Sequence, residues 1–198
     1  MKERKRIYLK RERARSEEAT REKIVEATMH LHEELGPRAT SISAIAKRAG
    51  VQRLTVYRYF PDETSVFQAC TAHWLSLNPP PDPESWAEIE SAEARFRASA
   101  AAFYSYFTRT RRMWTMSHHD VAFVPALQKP MSDFSEFLDS VCDTLITAFD
   151  DTQNRDRIAA TIRHALRFTT WSSLDEQGLD DEGKLDLACT WLRGARGV

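Results

Sequence analysis

Ser41 to Phe60 reads SISAIAKRAGVQRLTVYRYF, and this stretch decides the fold. Ser41 caps a short helix that carries Ile42, Ile45, Ala46 and Ala49 on one face. Gly50-Val51 then makes a tight turn, with Gly50 able to take the positive φ that the turn demands. A further helix, Arg53 to Tyr59 or Phe60, directs Val56 and Phe60 inward. Ala46 and Ala49 are small where the two helices cross, and Val51, Val56 and Phe60 plug the angle between them. This is the geometry of a helix-turn-helix, whose second helix can lie in a major groove. Arg53, Leu54, Thr55, Tyr57, Arg58 and Tyr59 are left to face outward. Arg53 suits a bidentate pair to guanine, and Leu54 or the Thr55 methyl suits a thymine methyl. Tyr57, Tyr59 and the Thr55 hydroxyl suit phosphates, which position without specifying. With Ser41 and Ser43 these six form the candidate DNA-contacting set. The competing reading is an ordinary αα-corner with aromatic packing.

Upstream, Ile24, Thr28, Leu31 and Leu35 recur at helical spacing, with Thr20 as expected N-cap and Gly36-Pro37 as terminator. Residues 1–19 hold eight Lys and Arg with almost no apolar periodicity, and are expected to be a flexible basic arm. Downstream, Pro61-Asp62 starts a fourth helix with Val66, Phe67, Cys70, Trp74 and Leu75. Asn78 to Pro83, rich in proline, is the strongest linker in the chain. Helical patterns follow over Glu84 to Thr108, Arg111 to His118, Phe134 to Phe149, Ile158 to Thr169, and Asp181 to Arg193. No alternating strand pattern or internal repeat appears. The expected fold is all-α with about nine helices. An arm at 1–19 precedes a DNA-binding domain over 20–68 and a helical domain over 69–198.

Composition sets the outer limits. The chain has 198 residues, 42% hydrophobic, enough for a core without disulfides or metal. The longest apolar run, Val121 to Leu127, is far short of the roughly 18 residues of a membrane span, and no secretory signal is evident. Cys70, Cys142 and Cys189 are odd in number and widely spaced, as expected of thiols in the cytoplasm. The net charge of −1 hides an asymmetry. Residues 1–60 hold 15 Lys and Arg against 8 Asp and Glu, while residues 61–198 hold 13 against 21. A basic first third on an acidic remainder points to one end that meets a polyanion.

The stretch Arg21 to Cys70, about a quarter of the chain, resembles the DNA-binding domain of the TetR family of one-component regulators. Carrying the resemblance are Ile24 and Leu31, Ile45-Ala46, Ala49-Gly50-Val51, Thr55-Val56-Tyr57-Arg58-Tyr59-Phe60-Pro61 and Phe67. It implies a three-helix DNA-binding domain and a connecting fourth helix. It also implies a helical C-terminal domain that dimerises through its last two long helices and holds an effector pocket. Four positions depart from the family pattern. Gln52 stands where Ser or Thr usually caps the recognition helix, and Leu54 where a small residue is common. Glu63 replaces a phosphate-contacting Lys, and Tyr59 stands where His is common.

Other signals are weaker. The stretch FYSYFTRTRRMWTM, Phe103 to Met116, combines aromatics with adaptable Met and reads as pocket lining or as plain core. Phe67, Cys70, Trp74, Phe103, Phe107, Met113, Trp114, His118 and Trp171 form the candidate effector set, with an apolar or amphipathic small molecule expected. The stripe Ile158, Ile162, Leu166, with Leu187 and Trp191, is the candidate dimer interface. His118-His119-Asp120 resembles a fragment of the HD-type hydrolase pattern, with His30, His73 and His164 as further ligand candidates. No HExxH, paired CxxC or P-loop accompanies it, and a polar helix end is expected. His30-Leu31-His32, with Glu33 and Glu34, reads as a solvated helix face. The expected function is a non-enzymatic, ligand-responsive regulator, most often a repressor in such proteins. It binds a palindromic double-stranded DNA site as a homodimer, without cofactor or metal. A constitutive DNA-binding dimer and a metal-dependent helical hydrolase are the alternatives.

Overall fold

The computed structural model describes residues 2–197, with side chains from Tyr8 onward. Among the described residues there are ten helices and no strand. They are α1 (Lys2–Leu35), α2 (Ile42–Ala49), α3 (Arg53–Tyr59), α4 (Glu63–Leu77) and α5 (Glu84–Ala87). Then follow α6 (Ala92–Asp120), α7 (Pro125–Thr147), α8 (Arg155–Ala165), α9 (Phe168–Glu176) and α10 (Asp181–Arg196). The chain divides into two compact units. One holds residues 1–78 and 115–128, the other 79–114 and 129–198.

The first unit is built on α1 to α4. Ile24, Val25 and Leu31 of α1 meet Ile42, Ile45 and Ala46 of α2, Val56 and Phe60 around α3, and Val66 and Phe67 of α4 in one buried cluster. Val124 and Ala126 pack on it as well. The expected arm is corrected here: α1 is helical from Lys2, and Thr20 lies inside it, its hydroxyl donating to the Ser16 carbonyl at 2.8 Å rather than capping. The reason is composition. Arg, Lys, Glu and Ala are strong helix formers, and the pairs Arg13–Glu17, Glu12–Arg15 and Glu18–Arg21 fall at helical spacing.

His32 is a second correction. Far from solvated, it is 4% exposed, its ring edge-on to Phe67 at 4.4 Å and its Nδ1 3.6 Å from the Cys70 thiol. Burial pulls its pKa down to about 4, against a smaller upward pull from Asp120. Burial likewise pushes the Cys70 thiol up to about 12. Both are therefore neutral at physiological pH. α4 ends at Leu77 because Asn78 turns back, its backbone N–H and side-chain amide both donating to the Trp74 carbonyl.

The second unit departs from the expected boundaries in three places. The helix expected from Glu84 breaks after α5. Arg95 donates twice to the Ile89 carbonyl, and Ser91 caps the next helix by accepting from Ala94 N–H. The break expected after Thr108 is absent. Thr108 hydrogen-bonds Asp181, and Arg111 pairs with Asp175, so the polar run is satisfied without leaving the helix. Finally α9 separates from α8 because Arg167 is extended, while the Thr170 hydroxyl donates back to the His164 carbonyl at 2.6 Å.

Inside this unit Phe103, Phe107, Trp114, Phe134, Phe168 and Trp171 form a continuous aromatic cluster, with ring separations from 4.4 to 6.5 Å. Tyr104 ties α6 to α8, donating to the Ala165 carbonyl at 2.9 Å. Lys184 is buried, its ammonium 2.9 Å from Asp175 and 3.2 Å from Asp181, over the Trp171 ring. That ammonium holds the Asp175 carboxyl below its ordinary pKa. Ile158, Ile162 and Leu166 are all buried within this chain, so the interface expected of them is corrected. Of that set only Leu187 and Trp191 keep partly exposed side chains.

Candidate nucleic-acid interface

The pair α2–α3 is held from behind and open in front. Ser41 Oγ accepts from Ala44 N–H at 3.2 Å, closing the first turn of α2. Gly50 ends α2 at φ 68°, and Val51 N–H returns to the Ala46 carbonyl at 3.0 Å. Nothing lies within 4 Å of where a Cβ on Gly50 would stand, so the glycine serves the left-handed backbone rather than space. Gln52 makes no side-chain cap, as its departure from the family pattern implies, and only its carbonyl takes part, accepting from Thr55 and Val56 N–H. Val56 and Phe60 enter the core and fix the rotation of α3 about its axis.

That rotation decides the outer face. Arg53, Leu54, Tyr57 and Arg58 are exposed, as are Ser41 and Ser43. Leu54 is 79% and Tyr57 40% exposed, large side chains left open to solvent. Thr55 and Tyr59 are only half-exposed, which modifies the expected face. Tyr59 packs on the core cluster, with the Arg58 guanidinium 5.0 Å over its ring. Further interactions brace the site. Arg48 holds Glu34 through two short hydrogen bonds, fixing the end of α2 to α1. The Arg21 guanidinium lies 5.3 Å over the ring of Phe60, where α3 ends. Asp62 forms a reciprocal capping box with Ser65 at the start of α4. Glu63, in that helix's first turn, fits the positive end of its dipole.

The His-Asp cluster has a different use. His118 and His119 are exposed. Asp120 is buried, accepting from Arg38 N–H at 2.9 Å and standing 2.7 Å from His119 Nδ1. It thereby tethers the loop that follows α1, where a Cβ on Gly36 would come within 2.6 Å of its carboxylate. Among the described residues no three His, Cys, Asp or Glu side chains are placed to hold a metal.

The candidate effector residues divide between the units. Phe67, Cys70, Trp74 and His118 belong to the first, and Phe103, Phe107, Met113, Trp114 and Trp171 to the second. All but His118 are buried. A cleft of about 610 Å³ in the first unit is lined by Leu35, Arg38, Met116, His119 and Asp120 among others, and one of about 280 Å³ in the second by Phe96, Arg97, Cys189 and neighbours. Neither includes a residue of the expected set.

An exposed, basic, partly apolar helix seated on a glycine turn defines the class: a helix-turn-helix protein of wholly helical fold. Residues 24–70 match the family described as bacterial regulatory proteins, tetR family. The whole fold is similar to a TetR-like transcriptional regulator from Rhodococcus sp. RHA1, at 17% identity and TM-score 0.60, covering 90% of this chain and 97% of that one. It is also similar to the fatty acid degradation regulator FadR from Bacillus halodurans, at 16% identity and TM-score 0.56, covering 87% and 93%. No curated protein matches the sequence. Residues 24–70 thus match the tetR-family model, and the chain as a whole has the fold of TetR-like regulators.

Proposed function

We propose that the protein is a ligand-responsive repressor that binds a palindromic DNA site as a homodimer in the cytoplasm. Residues 20–68 supply DNA binding, and residues 69–198 supply effector binding and dimerisation. The observation that carries the DNA reading is the outer face of α3. Arg53 and Arg58 flank Leu54 and Tyr57, which remain exposed although burial of such side chains is worth about 1.5–3 kcal/mol each. Arg53 at the first turn reads a base edge, Leu54 meets a thymine methyl, and Tyr57 with Ser41 and Ser43 donates to phosphates.

A lone helix reads only a few base pairs, so useful specificity calls for two half-sites related by a twofold axis. Support for a homodimer comes from the partly exposed Leu187 and Trp191 of α10, beside His164 of α8 at 6.0 Å and Gly194, which has open space where a Cβ would stand. Support for an apolar or amphipathic effector comes from the aromatic cluster of the second unit. In the same unit Arg111 is engaged by Asp175. Selection of bound duplexes from a random pool by the full chain tests the reading. An enriched palindrome supports it, and enrichment of a non-repeated site, or none, refutes it.

A further inference from the structure

The first half of α1 takes no part in the interface described above. From Tyr8 to Ala19 every residue is exposed, and the first buried residue of the helix among those described is Ile24. Segment 2–19 holds eight Lys and Arg against four Glu. At 1.5 Å per residue it extends about 27 Å, the length of roughly eight base pairs of duplex. From Tyr8 to Ala19 the charged residues fall on all sides of the helix. The large apolar side chains described there, Tyr8 and Leu9, are sequence neighbours that form no stripe for packing on another helix or lying on a bilayer. Within it, Glu12 and Glu17 are held by Arg15 and Arg13. Lys10 and Arg11 are exposed and pair with no carboxylate among the described residues.

Where this helix leaves the domain identifies what it meets. Arg21 covers the ring of Phe60, so the extension departs beside the C-terminal end of the recognition helix. We propose that residues 2–19 are a helical outrigger that binds the phosphate backbone of the duplex flanking the site read by α3. The proposal rests on the reading of α3 as the DNA-facing helix. Its contacts are those of cationic side chains with phosphates, so it adds affinity and salt sensitivity without base preference. A helix, unlike a tether, also confines those contacts to one side of the site and to a fixed length of flank.

The test uses the full chain and a variant carrying Lys10→Gln, Arg11→Gln, Arg13→Gln and Arg15→Gln. Gln keeps the helix propensity. Deletion of residues 2–19, which removes no buried side chain among the described residues, is a second route to the same effect. The DNA is the sequence enriched by the parent chain, in duplexes trimmed to the selected site or extended by about ten base pairs each side. The parent is expected to bind the extended duplex roughly tenfold tighter than the trimmed one, and both altered chains to bind the two alike. The slope of log affinity against log salt falls by about 0.9 for each phosphate no longer neutralised, while the ranking of bases is unchanged. Enrichment with an unchanged slope and no flank dependence overturns the outrigger alone. Failure of the parent to enrich any DNA overturns the regulator reading, and the outrigger with it.

Discussion

Acidification is expected to loosen the DNA-binding unit through His32. The imidazole is enclosed by α1 and α4, edge-on to Phe67, with its Nδ1 facing the Cys70 thiol, and Nε2 has no hydrogen-bond partner among the described residues. Burial favours the neutral ring, and the nearby Asp120 carboxylate only partly offsets this. The folded-state pKa of about 4 lies below the 6.5 of an unhindered imidazole, so the unfolded chain binds more protons between those values. Stability is therefore fully present above about pH 6.5 and is lost as pH falls, by about 3 kcal/mol on reaching pH 4. Cys70 stays protonated across this window, its pKa being raised to about 12, and contributes no slope.

Urea unfolding of the parent and a His32→Gln variant, repeated between pH 7 and pH 4, isolates the effect because all other carboxylates and histidines are common to both. The parent should lose about 3 kcal/mol more than the variant over that range. An NMR titration of the His32 ring gives the same quantity directly. A ring pKa near 6.5, or parallel pH profiles for the two chains, would show that the imidazole is hydrated and the reasoning wrong.

Arg53→Ala should cost about 1–3 kcal/mol in DNA binding and relax preference at one position per half-site, whereas Tyr57→Phe should weaken all sequences alike; competition binding with single-base variants of the selected site distinguishes them. Leu187→Glu should convert a dimer to a folded monomer by light scattering, while Ile162→Glu, which buries a charge inside the second unit, should unfold it instead. A dimer that survives Leu187→Glu at low concentration moves the interface off α10. Asp62→Ala removes the capping box of α4 and should lower stability by about 1 kcal/mol in urea titrations, with no change in base preference.

The helix-turn-helix was legible because local chemistry punctuates it. Ser41, Gly50 and Pro61 mark its boundaries, and small or apolar residues fill each inner position between them. The extension of α1 was not legible on the same terms. A solvated helix and an unfolded tail draw on the same Arg, Lys and Glu, and only pairings at three- and four-residue spacing favour the helix. His32 shows a related limit. Apolarity puts Ile24, Thr28, Leu31 and Leu35 on one stripe, yet Leu35 is exposed and His32, four residues after Thr28, takes the inner position. Geometry placed a polar ring in the core, and its cost surfaces as a depressed pKa rather than as a sequence signal.

The stripe on α8 bears on how an interface is read at all. Ile158, Ile162 and Leu166 repeat at helical spacing, which establishes that this face is buried but not what buries it. The same pattern serves an intrachain core and a subunit interface, because dry packing against a neighbour has the same composition in either case. The structure separates the two by what the chain leaves uncovered. The α8 stripe is closed within its own unit, while Leu187, Trp191 and the open space beside Gly194 are not. Gly194 lies in the last turn of α10, where its carbonyl accepts from Arg157. A dimer formed on α10, as proposed above, would cover these side chains and use that open space.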